Sequence, residues 1–260
     1  MKDNENLLDK IKEMFGTNPG TFNIMEEQID IDLQMDYFEA SRRIASEVDE
    51  FWAMDQAKNL IEDDYPLEVK KRILARLASM EKVEAYRVIE NYLKVADPEI
   101  RDWTQLALQE SRMHLESQLL EENQIFISTG LGGKEHKLRY FVVLIARSRK
   151  ILSEVQQKVI KSEFAFILKK YDAEIEEIEF SDYLATILLL LPINYPIKQV
   201  FTEAIEECNQ YGDFLRDHFI VTNVKKLTFK EIRDFIERKK KKSSKNSASP
   251  ASGSHEDMVE

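Results

Sequence analysis

The sequence is poor in cysteine and in long apolar runs, and both absences exclude kinds of site. Cys208 is the one cysteine among 260 residues, so an internal disulfide or a zinc site with several cysteines cannot form. It falls in the helical stretch EAIEECNQY, where we expect a structural thiol. The longest apolar run, Leu184 to Leu191, contains a threonine and is far shorter than the ~20 residues that a membrane helix needs. Since the N-terminus MKDNENLLDK is too polar for a signal peptide, we expect a soluble, cytoplasmic protein.

Positive charge is scarce in the first half of the chain. The whole sequence has 37 Lys and Arg against 48 Asp and Glu, a net charge of −11. Residues 1–120 carry net −11, residues 121–245 carry net +3 and the last fifteen carry net −3. Because contacts to phosphate require Lys and Arg, the first half is a poor candidate for nucleic-acid binding, whereas the second half remains a candidate.

Residues 1–120 show helical periodicity and no strand-like alternation. Two helix starts, in DYPLEVKKRILARLA and in DPEIRDWTQLAL, share Asp, Pro, an acidic residue, a β-branched residue and a base, and Val69-Lys70 lies 31 residues before Ile100-Arg101. A period of this size is typical of stacked helix pairs. The second start resembles that of the second helix in HEAT-type repeats. We therefore expect an acidic, HEAT-like helical domain over 1–120, and the alternative is an ordinary helical bundle.

After Glu122 the pattern becomes a mixture of strands and helices. NQIFISTG and KLRYFVVLIA have the composition of strands and, joined by the glycines of GLGGKEHK, predict a β-hairpin. The elements that follow are a helix over about 152–171, the strands AEIEEIEF and YLATILLLLP, a helix over 197–210, the strand HFIVTN and a helix from 229 to about 240. The order βαββαβ predicts a ferredoxin-like domain over 121–240 with an added N-terminal hairpin strand and a C-terminal helix. The chain is thus expected to be an α+β protein of two domains with a disordered tail over 241–260.

The glycine stretch GLGGKEHKLRY, from Gly130 to Tyr140, raises the question of a phosphate-binding loop. Such a loop normally leads from a strand into a helix and has Walker or GxGxxG spacing. Here a strand follows, and neither spacing is present. We interpret the glycines as hairpin residues at positive φ and expect no cofactor.

Basic residues flank the second hairpin strand at both ends. We predict that six of them contact a nucleic-acid backbone: Lys134, Lys137, Arg139, Arg147, Arg149 and Lys150. At about 3.3 Å per residue the two triplets lie roughly 30 Å apart, so one end rather than both would contact a given backbone. The alternative is a solvated hairpin tip.

The stretch from Leu138 to Lys240, about 40% of the chain, resembles a family of enzymes. Its pattern is a strand ending in RSRK, a helix ending in KKYDAEIEEIE, a strand closing in LPINYP before a helix, and HFIVTN before a last helix. This pattern resembles the single-strand DNA transposases of the tyrosine HUH class, which include the REP-associated tyrosine transposases. The resemblance implies two metal-binding histidines, one residue apart on a central strand, and a nucleophilic tyrosine on the last helix.

This chain departs from the family at all three positions. Alignment on Leu191-Pro192 puts Leu184 and Thr186 at the histidine positions, and Phe235 falls where the tyrosine is expected. Neither Leu nor Thr replaces a metal-binding imidazole, and Phe has no oxygen that could attack a phosphate. We therefore expect no catalytic or metal-binding residues and no enzyme activity.

The resulting hypothesis is a non-enzymatic binding or adaptor protein. Its expected partners are a protein at the helical domain and single-stranded or hairpin nucleic acid at the transposase-like domain, and the resemblance also implies a homodimer. Two alternatives remain open. One is an active metal-dependent single-strand nuclease or transposase that uses Tyr183 or Tyr195, and the other is a purely protein–protein interaction module.

Overall fold

The computed structural model of the chain describes residues 22–62, 64–120 and 125–246 and has the predicted α+β composition. Residues up to Lys225 form one compact unit and those from Lys226 a second. The predicted boundary at 120/121 falls inside the first unit, and the division there stays a prediction. No helix in the described ranges has the length and apolar character needed to cross a bilayer.

The described residues from 31 to 120 fold into α-helices joined by short turns. The helices are α1 (Ile31–Glu47), α2 (Glu50–Gln56), α3 (Leu67–Ala78), α4 (Val83–Leu93) and α5 (Pro98–Leu120), with a 3₁₀ turn at Ala57–Ile61. Pro66 directly precedes α3 and Pro98 opens α5, so both prolines stand at helix starts as predicted. Helices α3, α4 and α5 pack against one another around a buried aliphatic core.

A carboxylate joins the first and last of these helices. Glu110 on α5 accepts hydrogen bonds from the Tyr37 hydroxyl at 2.5 Å and from the Ser41 hydroxyl at 2.8 Å, both on α1. Tyr37 has no exposed surface, and this burial, followed by the Glu110 charge, raises its pKa well above the ordinary value. Because the tyrosine hydroxyl is buried, it needs this acceptor, and the pairing fixes where α1 lies along α5.

The second half of the first unit is built around an antiparallel sheet. Its strands are β3 (Gly133–Lys134), β4 (Lys137–Ile145), β5 (Glu174–Ser181), β6 (Leu184–Pro192) and β7 (Ile220–Thr222), while β1 (Phe22–Ile24) and β2 (Ile125–Ile127) form a separate parallel pair. Strand β4 lies between β6 on one side and both β3 and β7 on the other, and β5 pairs with β6.

Two helices cover one face of this sheet. They are α6 (Glu154–Lys170) and α7 (Ile197–Gln210), and they pack against the inward side chains of β4, β5 and β6. The bounds of α7 are those predicted, and α6 begins with a capping box between Ser153 and Gln156. Residues 184–191 of β6 are all buried, as expected of a continuous apolar run in a strand that is covered on both faces.

A β-bulge explains the irregular alternation of β5. Ile175 and Ile178 both pack into the core although they are three residues apart, an odd spacing that a regular strand would send to opposite faces. The register shifts between Ile175 and Glu177, so Glu176 is the extra residue. Ile175, Ile178 and Phe180 all pack against the core of the sheet and its helices.

The predicted pairing of the hairpin is wrong. NQIFISTG does form a short strand, but this strand (β2) pairs in parallel with β1 rather than with β4. The two-residue strand β3 pairs with β4 instead, with Lys134 opposite Lys137. Strands of two or three residues are too short to show periodicity, and their pairing depends on distant parts of the chain, so the sequence did not indicate β1 or β3.

The glycines lie where two chain segments meet at close range. Gly132 alone of the three adopts positive φ, at +64°, so the prediction of hairpin residues at positive φ holds for one glycine. A Cβ on Gly130 would lie 1.9 Å from the Val224 carbonyl oxygen, and one on Gly132 would lie 2.4 Å from the Glu26 carbonyl oxygen. Glycine is therefore required mainly because backbone packs directly on backbone.

The second unit contains the last helix, α8 (Phe229–Asn246). Thr228 caps it: its hydroxyl accepts from the Glu231 amide, and its own amide donates to the Glu231 carboxylate. The helix runs six residues past the predicted end at Lys240. The rest of the tail that we expect to be disordered, from 247 on, lies outside the described residues.

Replacing Gly130 by Ala should destabilise the protein strongly. The new methyl group would overlap the Val224 carbonyl, and overpacking against backbone costs up to about 3 kcal/mol. Gly212→Ala is the matched control, because Gly212 has positive φ but nothing within 4 Å of its Cβ position. We expect a loss of about 1 kcal/mol there. Urea unfolding followed by circular dichroism measures both, and equal losses would contradict the close approach.

Replacing Glu110 by Ala should cost about 2 kcal/mol in the free energy of unfolding, because it leaves the buried Tyr37 hydroxyl without an acceptor. Asp102→Ala, an exposed position on the same helix, should cost less than about 0.5 kcal/mol. A double variant with Tyr37→Phe should recover part of the loss. If the single and double variants unfold at the same urea concentration, the hydrogen bond is not what stabilises the pair of helices.

Candidate nucleic-acid interface

The two positions aligned with the family histidines lie side by side on the central strand β6. Leu184 and Thr186 point to the same face because alternate strand residues do, and they are 0% and 4% exposed. Across the sheet Leu184 lies opposite Ile145, and Thr186 lies opposite Val143. The position is geometrically that of a His-x-His pair, but these residues do not fit a divalent metal.

Phe235 lies at the position aligned with the family tyrosine. It is on α8 and is 40% exposed. The Lys239 ammonium lies 4.9 Å from the centre of its ring, a cation–π arrangement. This position therefore offers an aromatic surface beside a cation, and no oxygen nucleophile.

The other candidate ligands and nucleophiles are dispersed. Within residues 22–62, 64–120 and 125–246 no three His, Cys, Asp or Glu side chains are grouped as metal ligands. His114 pairs with Glu110, His136 is in the β3–β4 turn, His218 is exposed before β7, and His255 lies outside the described residues. Cys208 is buried in α7, and burial raises its pKa to about 12, which confirms a structural thiol.

The first basic triplet is largely neutralised by carboxylates. The Lys137 ammonium lies 2.6 Å from Glu174 and 3.2 Å from Asp172, and the hydrogen bond to Glu174 raises the pKa of Lys137. The Arg139 guanidinium binds both oxygens of Glu176, at 2.6 and 2.9 Å. Lys134, opposite Lys137 on β3, is exposed.

Sheet register, rather than sequence proximity, brings these charges together. Arg139 on β4 and Glu174 on β5 both lie opposite Leu190 of the intervening strand β6. Side chains at these positions share a face, so the ion pairs Lys137–Glu174 and Arg139–Glu176 span β6. No local pattern links residues 137–139 to residues 172–176, so this pairing could not be predicted before the strand order was known.

The second triplet lies at the other end of β4 and is partly neutralised. Arg147 lies 3.0 Å from Asp213 and 2.8 Å from Asp217. Arg149 is half-buried at φ +53°, and its guanidinium lies 5.8 Å from the centre of the Tyr183 ring. Its Nε is buried without a hydrogen-bond partner, and Lys150 is exposed. As predicted, the structure places the two triplets at opposite ends of one strand and not at a common site.

A cleft of about 500 Å³ lies between α5, β1 with its following residues, and the β3–β4 turn. Its charged lining is mainly acidic and consists of Glu26, Glu27, Glu116, Glu135 and Arg112. Glu116 accepts a hydrogen bond from Asn23, and one oxygen of Glu27 is buried without a hydrogen-bond partner. No local sequence pattern marks this cleft, because distant parts of the chain form it.

Comparisons with known proteins found similarity in structure only. No family model matches the sequence, and no curated protein matches it. A crystallised protein from Deinococcus radiodurans R1 described as a transposase is similar over 41% of this chain and 93% of its own, with 17% identity and a TM-score of 0.36. The REP-associated tyrosine transposase bound to a REP hairpin is similar over 42% of this chain and 67% of its own, with 12% identity and a TM-score of 0.30. Both are described as transposases, the class that the sequence between Leu138 and Lys240 resembles.

The ion pair between Arg139 and Glu176 should be stronger than the ion pair between Arg147 and Asp217. A double-mutant cycle of Arg139→Gln and Glu176→Gln should give a coupling energy of about 1 kcal/mol, because the pair is bidentate and the arginine side chain is 12% exposed. The same cycle on Arg147 and Asp217, whose side chains are 44% and 82% exposed, should give about 0.3 kcal/mol. Urea unfolding measures both, and equal couplings would mean that the shielding of Arg139 contributes nothing.

Proposed function

We propose that this chain is a non-enzymatic binding protein in which a helical scaffold precedes a transposase-like domain without transposition chemistry. The observation that carries the proposal is the set of residues at the three positions of the family's active site. Leu184 and Thr186 occupy buried positions on β6, and Phe235 occupies the tyrosine position on α8. None of the three side chains supplies the imidazole or phenol that metal-assisted attack on a phosphodiester requires.

The proposal includes a HEAT-like fold for the first half of the chain and a ferredoxin-like fold for the second. A ferredoxin-like topology is supported by the antiparallel order β7-β4-β6-β5, with α6 connecting β4 to β5 and α7 connecting β6 to β7. A HEAT-like arrangement is supported by the packing of α3, α4 and α5 and by the proline at the start of α5. The HEAT-type resemblance implies that the Arg after the proline packs against a neighbouring repeat, but Arg101 is exposed and donates to the Leu93 carbonyl.

Within the sheet, the end of β4 that leads to Arg149 and Lys150 is the better candidate for contact with nucleic acid. Lys137, Arg139 and Arg147 each have a carboxylate within 3 Å, and binding phosphate would require breaking these pairs. Arg149 and Lys150 have no carboxylate within 4 Å among the described residues. Lys134 is also exposed and forms no ion pair within the described ranges, but the pKa of the Glu174 carboxyl is lowered by the hydrogen bond from Lys137 and further by the nearby Lys134 charge. Arg149 and Lys150 are therefore the residues of the sheet best able to contact a phosphate backbone.

A protein–protein module is the second candidate, and the acidic cleft favours it. Four glutamates around a cavity of about 500 Å³ suit a Lys or Arg side chain of a basic partner better than an anion. A homodimer through the sheet edge also stays a proposal. It would use β7, which pairs with β4 and exposes 40% of Val221.

The charge swap Arg149→Glu with Lys150→Glu should weaken binding of the full chain to single-stranded and hairpin oligonucleotides by about tenfold at 50 mM salt. The matched control is Lys158→Glu with Lys161→Glu, two exposed lysines of α6, which should change affinity less than about twofold. Fluorescence anisotropy at about 50 and 200 mM salt measures both. Wild-type protein that binds no oligonucleotide at the lower salt leaves the protein–protein module as the function.

The same samples test whether the protein cleaves oligonucleotides, which the proposal says it does not. With Mg²⁺ or Mn²⁺ present, denaturing gels should show uncut oligonucleotide. Cleavage that disappears in Tyr183→Phe or Tyr195→Phe would overturn the non-enzymatic proposal and identify the nucleophile.

A further inference from the structure

Helix α8 carries the most concentrated positive charge of the chain. Its 18 residues contain eight Lys and Arg against three Asp and Glu, a net charge of +5. Since the whole chain has net −11, removing these +5 leaves −16 on all other residues. Five of the cations are consecutive, from Arg238 to Lys242. Positive charge in this acidic protein is thus most concentrated on one helix.

The helix dipole does not account for this run. Cations stabilise a helix when they lie within its last turn, near the free carbonyls. The helix ends at Asn246, so Arg238 and Lys239 stand about two turns before the end. Like charges three and four residues apart destabilise a helix by a few tenths of a kcal/mol per pair. A bound polyanion would remove this repulsion.

The side chains of α8 are divided between a buried apolar side and an exposed basic side. Ile232 is 0% exposed and Ile236 is 8% exposed, whereas Arg238 and Lys239 are exposed. The ring of Phe235 is 40% exposed and lies against the Lys239 ammonium. The helix therefore presents an aromatic ring next to cations, the combination with which proteins bind single-stranded nucleic acid: cations contact phosphates and aromatic rings stack on bases.

We propose that α8 is the principal nucleic-acid contact of this protein, with the cations from Arg238 onward on the phosphate backbone and Phe235 stacked on a base. The proposal rests on the proposed function, since it names where nucleic acid is held. An anionic bilayer suits the helix less well, because a membrane-bound amphipathic helix inserts its apolar side and the isoleucines of α8 are already buried.

The test uses the full chain with four cations neutralised: Arg238→Gln, Lys239→Gln, Lys240→Gln and Lys241→Gln. Glutamine is a good helix former, so the helix should persist, which circular dichroism checks. The matched control neutralises four lysines of α6: Lys158, Lys161, Lys169 and Lys170. Binding of a labelled 20-nucleotide single strand is measured by anisotropy between about 50 and 200 mM salt.

We expect the α8 variant to lose at least about tenfold in affinity and to lower the slope of log K against log salt by about 3, since each phosphate contact contributes roughly 0.7. The control should keep the wild-type slope. Phe235→Ala should lose about tenfold with little change of slope, because stacking carries no charge. An α8 variant with wild-type affinity and slope overturns the proposal.

Failure of this proposal and failure of the sheet contact give different results. If α8 fails while Arg149→Glu with Lys150→Glu weakens binding, the sheet end is the interface. If the α8 variant loses binding and the sheet variant does not, α8 stands and the sheet contact falls. Wild-type protein that binds no oligonucleotide at 50 mM salt overturns both. Binding to phosphatidylserine vesicles without binding to oligonucleotide overturns both in favour of a membrane surface.

Discussion

The close approach of the glycine loop to two other backbone segments is the constraint on which the first unit depends. Gly130 meets the carbonyl of Val224, which follows β7, and Gly132 meets the carbonyls of Glu26 and Glu27, which precede α1. The buried amide of Gln34 on α1 donates to the Ile29 carbonyl at 2.8 Å and to the Thr129 carbonyl at 3.3 Å, closing the same seam. The residues before α1 and the loop at the sheet edge are therefore in direct backbone contact, the Gln34 side chain bridges them beside that contact, and this junction lies within one compact unit.

Elements long enough to show their own periodicity could be predicted from the sequence, and those that exist through a partner could not. Helix α7 and strand β6 have eight residues or more, and their apolar patterns gave their bounds within a residue or two. Strands β1 and β3 have three and two residues, and distant backbone groups supply their hydrogen bonds. The glycine stretch leads into strands rather than a helix, as the sequence predicted. Glycine is required at Gly130 and Gly132 mainly because of close backbone contact with residues about 100 positions away, and such a contact has no local sequence pattern.

The candidate interface shows why counting charges along a sequence overstates an anion-binding surface. The structure confirms the predicted separation of the basic residues into two groups at the ends of β4, while their contact with nucleic acid stays a prediction. The carboxylates that bind three of them come from β5 or from the loop before β7. Formal charge can be read from the sequence, but the charge available to a partner depends on strand register. This distinction favours α8, where Arg238 and Lys239 are exposed and lie in the same run of cations.

The proposed loss of chemistry extends beyond the residues that replace the ligands. A metal-binding imidazole is held in its orientation by a hydrogen bond from its second nitrogen to a carboxylate or carbonyl. The register neighbours of Leu184 are Ile145 and Ser181, and those of Thr186 are Val143 and Glu179. Histidines placed at 184 and 186 would stand beside the aliphatic side chains of β4, so β4 offers neither of them an orienting side chain and their polar register neighbours are Ser181 and Glu179 of β5. A metal site at 184 and 186 would thus depend on residues of β5 as well as of β6, because β4 presents aliphatic side chains beside both positions.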